Sequence, residues 1–186
     1  MRPWLLLPVL TACLACGSSK LSRREAEGDI RKDYPVQVLL RVPETAKAAK
    51  GSAELAKLAA LQEQLTRTGW FTVERSVQGD SEQFSFHRSA AAPGSVQATG
   101  GGFQVPAAEA EFVRATRLET SRENDRSTAT VTYQVRLVRP TPAFAAFQAL
   151  FPAAHAGASK DRHASYRREG RSWVLQGTDE SFKKVR

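Results

Sequence analysis

Apolar side chains recur along this chain at two spacings, every three to four positions in some stretches and every second position in others. The succession of these stretches predicts a mixed α+β fold. Ser22 can cap a short helix, with Glu25 placed to reach back to it and Leu21 to pack on Ala26, and the pattern carries this helix to about Lys32. Gly28 weakens it by about 1 kcal/mol relative to alanine, so Ala26 and Ile30 must pack on a neighbour. From Tyr34 the period becomes two. Val36, Val38, Leu40 and Val42 share one face and Gln37, Leu39 and Arg41 the other, which predicts a well-buried strand. Pro43 ends it and opens a brief helical turn through Lys50. Ser52 then caps a longer helix, striped by Leu55, Leu58, Leu61 and Leu65, that the chain leaves at Gly69. Residues 70–77 and 83–88 follow as two strands, joined as a hairpin across Gly79, Asp80 and Ser81.

Residues 89–106 are rich in Ala, Gly and Ser and carry neither period, so they predict a linker, centred on 91–106, between two lobes. Gly100, Gly101 and Gly102 do not make a phosphate-cradling loop, because the lysine followed by Ser or Thr is missing. Beyond the linker, a strand over 111–119 and a polar turn over 121–127 lead to the clearest strand, 129–139. Ala129, Val131, Tyr133, Val135 and Leu137 alternate there with polar residues, as in an antiparallel sheet wet on one side. Phe144, Phe147, Leu150 and Phe151 line one side of a short helix that covers this sheet and stops at Pro152. After a loop over 152–162, residues 163–168 and 171–176 form a last hairpin around Glu169 and Gly170.

The order helix, strand, one or two helices and hairpin over residues 21–90 resembles a winged helix, and is similar to the amino-terminal part of several uncharacterised bacterial lipoproteins. The resemblance rests on element order and implies a winged-helix-like N-terminal lobe followed, over 107–186, by a small antiparallel sheet with one covering helix. Nucleic acid is not expected as a partner. The helix before the hairpin exposes Glu54, Lys57, Gln62, Glu63, Gln64 and Arg67, which nearly balance, whereas phosphate contact needs net positive charge.

Arg2 and the apolar run from Trp4 to Leu10 predict an export signal, since the run is about half of the roughly 20 residues needed to cross a bilayer. Two cysteines follow small residues: Leu10, Thr11 and Ala12 precede Cys13, and Leu14 and Ala15 precede Cys16, after which come Gly17, Ser18 and Ser19. These segments resemble the signal of bacterial lipoproteins. Cys13 fits the residue pattern closely but lies near the start, and Cys16 has the usual distance and follower. Cys16 is therefore the preferred lipidation residue and Cys13 its alternative. The resemblance implies a cleaved signal region over 1–16, a tether over 17–20 and attachment to the membrane through N-terminal lipid. It also implies a bacterial envelope location, facing the periplasm from the outer membrane if the host has two membranes, because no Asp follows either cysteine. An ordinary secretory signal with incidental cysteines is the other reading of these residues.

Composition narrows the class. With 41% apolar and 25% charged residues in 186, the chain is globular rather than disordered. Its only two cysteines lie in the signal region, so the mature body holds no disulfide and depends on core packing. The net charge of +8 would draw an exported protein towards anionic lipid, lipopolysaccharide or acidic wall polymers, or simply keep its surface solvated. Tyr166, Arg167, Arg168 and Arg171 are the candidate anionic-ligand surface, since guanidinium groups fork onto phosphate or carboxylate while an aromatic ring stacks.

No catalytic constellation stands out. His87, His155 and His163 form no metalloprotease pair, Asp161 and His163 lack a further ligand at a diagnostic interval, and a nucleophile-elbow motif is missing. No metal or cofactor is expected. The sequence predicts a non-enzymatic, lipid-anchored envelope protein that contacts another envelope protein or an anionic lipid or glycan. The alternative is an exported hydrolase acting on wall or lipid material, which a pocket holding a histidine beside a serine or carboxylate would favour.

Overall fold

The computed structural model describes residues 20–123 and 126–179. The export-signal residues, Cys13 and Cys16 included, lie outside these. Twelve elements follow one another: α1 (Arg23–Arg31), β1 (Val36–Pro43), β2 (Thr45–Ala49), α2 (Ala53–Arg67), β3 (Phe71–Gln78), β4 (Ser81–Arg88), β5 (Gln97–Thr99), β6 (Gly102–Glu123), β7 (Arg126–Val138), α3 (Phe144–Leu150), β8 (Ser159–Glu169) and β9 (Ser172–Thr178). Strand accounts for 54% of the described residues and helix for 20%.

One curled antiparallel sheet dominates, in the order β1-β6-β7-β8-β9, with the short β5 also paired to β6. A second sheet has the order β2-β4-β3. The expected α+β fold with a winged-helix-like N-terminal lobe is therefore wrong. β1 does not belong to a local helix-and-wing unit but pairs with β6, from Val36 opposite Ala110 to Pro43 opposite Gly102. Residues from both sides of the expected linker consequently meet in one hydrophobic core, with Val38, Leu61 and Phe84 on one side and Val131, Tyr133 and Tyr166 on the other. The physical reason lies in β1 itself. A strand with four apolar residues on one face buries more surface when it extends a long sheet and faces a shared core than against a lone hairpin.

Several stretches expected to lack strand structure are strands, among them β5 within the expected linker, the adjoining ends of β6 and β7 in the expected turn and the start of β8 in the expected loop. Residues 45–49, Ala- and Lys-rich, pair with β4 as β2, so tertiary pairing overrides their helical propensity. Gly102 to Pro106, placed in the linker, begin β6, a strand of 22 residues. Pro106 is accommodated because the register shifts between Val38 and Leu39 at this point, leaving Ala107 as an extra residue; proline enters sheets at such bulges. Further shifts at Phe112/Arg114 and Ala115/Arg117 bend β6, and bulges of this kind increase local twist and give the sheet its curl. Gly102 is required where it stands. At φ 152°, a Cβ there would overlap the Val42 carbonyl oxygen.

The local signals at element ends act as their chemistry dictates. The Ser22 hydroxyl accepts from the Glu25 amide at 3.2 Å and the Ser52 hydroxyl from the Leu55 amide at 3.1 Å, satisfying amide groups that the first turn of a helix leaves unpaired. Gly69 follows α2 at φ 73°. The β3–β4 and β8–β9 hairpins turn at Gly79 and Gly170, both at positive φ. α1 packs on β6, while α2 packs on β2, β3 and α3. Long-range polar links tie α1 to the sheet, the Arg23 guanidinium donating to the Thr116 carbonyl at 3.4 Å among them. Glu27 accepts from the Ala115 amide at 2.9 Å, and the Tyr166 hydroxyl donates to the Ala26 carbonyl at 3.2 Å. Among the described residues no helix is long and apolar enough to cross a membrane.

Candidate functional site

The curl leaves a cavity of about 820 Å³ that neither α1 nor α2 lines. Val38 and Leu40 of β1, Ala110 of β6 and Val135 and Leu137 of β7 form its sheet wall, and Phe147, Leu150 and Phe151 of α3 and its C-terminal end form the opposing one. Three alanines in the segment after α3, Ala153, Ala154 and Ala158, complete the enclosure with little side-chain volume. The space exists because small residues stand where larger ones would meet the facing strand. Its size falls within the ~300–1,000 Å³ of small-molecule sites.

Backbone pairing holds the far wall in place. The Leu137 amide donates to the Ala158 carbonyl at 2.9 Å, and the Leu137 carbonyl accepts from the Gly157 amide at 2.8 Å. The Gln148 side chain donates to the Ala154 carbonyl at 2.9 Å, and the Ala154 amide to the Phe151 carbonyl at 2.9 Å. Phe144, Phe147 and Phe151 form a file of rings with centroids 6.0 and 4.8 Å apart. The last of them is 53% exposed at the cavity's edge. Among the described residues the charged members of the lining are Arg41, Lys160 and Arg162, and no carboxylate or histidine accompanies them.

The four residues of the expected anionic-ligand surface do not share one face. Tyr166 is 1% exposed and bonded to α1, so its ring belongs to the core and stacks on no ligand. Burial, with the negative charges of Asp29, Glu25 and Asp33 adding to it, pushes its hydroxyl well above the usual tyrosine range. Its neighbours Arg167 and Arg168 lie beside it on β8, the first exposed and ion-paired with Glu169 at 2.6 Å, the second donating to the Gly170 carbonyl at 3.2 Å. Arg171 is exposed at the turn between β8 and β9. Alternation along β8 explains the separation: Ala164 and Tyr166 point inward while Ser165 and Arg167 point to solvent.

Histidine chemistry is equally local. The His163 amide donates to one Asp179 carboxylate oxygen at 2.9 Å, and its Nδ1 lies 3.2 Å from the other. No group of three or more His, Cys, Asp or Glu able to hold a metal occurs among the described residues. The cavity itself was not readable in advance. Val38, Leu40, Val135 and Leu137 look like ordinary core positions, and only the Ala-rich run after Pro152 hinted that one wall would be thin. No family model, curated protein or solved structure matches the chain.

Proposed function

We propose that this chain is a lipid-anchored protein of the bacterial envelope with a non-enzymatic binding role, exercised through the cavity beside α3. The observation that carries the reading is the character of that cavity: largely apolar walls fixed by backbone pairing, with cations as the only charged groups of its lining among the described residues. Such a site retains an apolar ligand or partner segment by excluding water from it. Ser159 in the lining has no histidine or carboxylate beside it among the lining residues, which favours binding over hydrolysis. The anchoring part of the proposal rests on Cys16, or alternatively Cys13, and on the small residues before each. It places the domain at an outer-membrane surface facing the periplasm in a host with two membranes, where the +8 charge attracts anionic lipid or glycan.

The test is metabolic labelling with a palmitate analogue in wild type, Cys13→Ser and Cys16→Ser, followed by membrane fractionation. Wild type should be labelled and membrane-bound, and Cys16→Ser should lose both properties. Loss in Cys13→Ser alone would move the anchor to that residue. An unlabelled wild-type protein overturns the anchoring, and label kept in both single variants overturns the assignment to one essential cysteine.

A further inference from the structure

We infer that the cavity beside α3 binds the alkyl chain of a single-chain anionic amphiphile, a long-chain fatty carboxylate, with Lys160 at the headgroup. The inference deepens the reading above and rests on it only for the choice of this cavity as the site.

Three features of the lining select this chemistry. The first is the apolar character of both walls, from Val38, Leu40, Val135 and Leu137 on one side to Phe147 and Leu150 on the other. Over these residues a polar group loses hydration that apolar side chains cannot replace, so polar contacts are confined to Arg41, Gln104, Ser159, Lys160 and Arg162 in the lining. The second is volume, since about 820 Å³ is ample for one alkyl chain. The third is charge.

Arg41, Lys160 and Arg162 belong to the lining, and among the described residues no carboxylate does. Several cations of the surface stand beside acids: Arg67 beside Glu63, Arg117 beside Glu119, Arg139 beside Glu109 and Glu111, and Arg167 beside Glu169. The Lys160 side chain is exposed and forms no ion pair or hydrogen bond among the described residues. The register of β7 with β8 sets it opposite Val135, and Arg162 opposite Tyr133. An alkyl chain in the cavity therefore has an ammonium group on the β8 side of the lining. Phe151, exposed beside the opening, adds apolar surface over which a chain can enter. An uncharged chain would satisfy the walls but leave Lys160 unused, and a cationic one would meet like charge.

The experiment uses the unacylated full chain, stripped of bound lipid, and isothermal titration with saturated fatty carboxylates of increasing length below their aggregation concentrations. Hexadecanoate should bind at one per chain. Affinity should rise by up to about fourfold for each added methylene that still meets the cavity wall, then level off. Lys160→Glu should weaken hexadecanoate at least about fivefold while leaving hexadecanol unchanged. Ala154→Trp, with folding verified by circular dichroism, should abolish binding of both by filling the space.

Absence of saturable hexadecanoate binding would overturn the inference. So would hexadecyltrimethylammonium binding as tightly as hexadecanoate, a Lys160→Glu effect equal for acid and alcohol, or full binding by a folded Ala154→Trp protein. Association with anionic vesicles but not with monomeric hexadecanoate would also overturn it, in favour of a membrane-surface contact. These outcomes are independent of acyl labelling at Cys13 or Cys16, so failure here and failure of the anchoring proposal are distinguishable.

Discussion

Replacing Tyr166 by phenylalanine removes one oxygen from the interior, and its consequences separate a core tyrosine from one that serves a surface. The hydroxyl donates to the Ala26 carbonyl at 3.2 Å, across 140 positions of sequence, and ties α1 to β8. A net hydrogen bond of this kind contributes about 1 kcal/mol. For a domain of this size that corresponds to a fall of roughly 2–4 °C in Tm. Tyr166→Ala removes the buried ring as well and should cost about 3–5 kcal/mol. Arg167→Ala, which deletes only an exposed ion pair with Glu169, should stay within about 0.5 kcal/mol.

The pH dependence supplies a second, sharper signature. Burial and the charges of Asp29, Glu25 and Asp33 raise the native Tyr166 hydroxyl above the ordinary value of 10.0. Above that pH the unfolded chain has released this proton while the folded one still holds it, so the native state binds more protons and stability falls as pH rises. Below it, the contribution is fully present. The wild type should therefore lose up to about 1.4 kcal/mol more per pH unit than Tyr166→Phe above pH 10. Starting about 1 kcal/mol ahead, it should be overtaken roughly one unit higher. Urea unfolding followed by far-UV circular dichroism at a series of pH values measures both effects. If Tyr166→Phe matches wild type at pH 8 and declines with the same alkaline slope, the hydroxyl is not buried against α1 and the packing described for that helix is wrong.

Further substitutions probe the sheets and α1. Gly102→Ala sets a Cβ against the Val42 carbonyl at the start of the β1–β6 pairing and should cost about 2–5 kcal/mol through strain and overlap, visible as a lowered urea midpoint. Gly28→Ala, in α1 with nothing near the added methyl, should instead stabilise by about 0.5–1 kcal/mol. In the smaller sheet, Glu82 is 9% exposed and is held by Arg75. Arg75→Ala, which strands that carboxylate, should destabilise by about 1–3 kcal/mol and by more than Glu82→Gln, which removes the charge itself; thermal melts in low and high salt would rank them.

Local chemistry was legible residue by residue. Ser22 and Ser52 as caps, the leucine stripe of α2, the turns at Gly79 and Gly170 and the alternation of β7 all depend on interactions within a few positions, and each stands where its side chains require. The candidate site was legible only in fragments. Tyr166 and Arg167 are adjacent in sequence and invite grouping, yet a strand sends them to opposite faces. Lys160 sits in a stretch without apolar period, and its place in the cavity lining depends on the pairing of Val135 with it across two strands.

What the order of residues determined unaided was therefore the set of short-range structures and a body whose core must form without disulfides. The destination of β1 was decided at the tertiary level, because its four buried side chains find their partners on β6, some sixty to seventy positions away. The strand character of residues 45–49 and 102–106 was decided there too. An Ala-rich or Gly-rich segment has little preference of its own, so the free energy of pairing with an already apolar neighbour settles its conformation. The cavity belongs to the same class. It is the space left over when bulges curl one sheet and alanines line the segment facing it, a quantity set by distances between elements that no local pattern encodes.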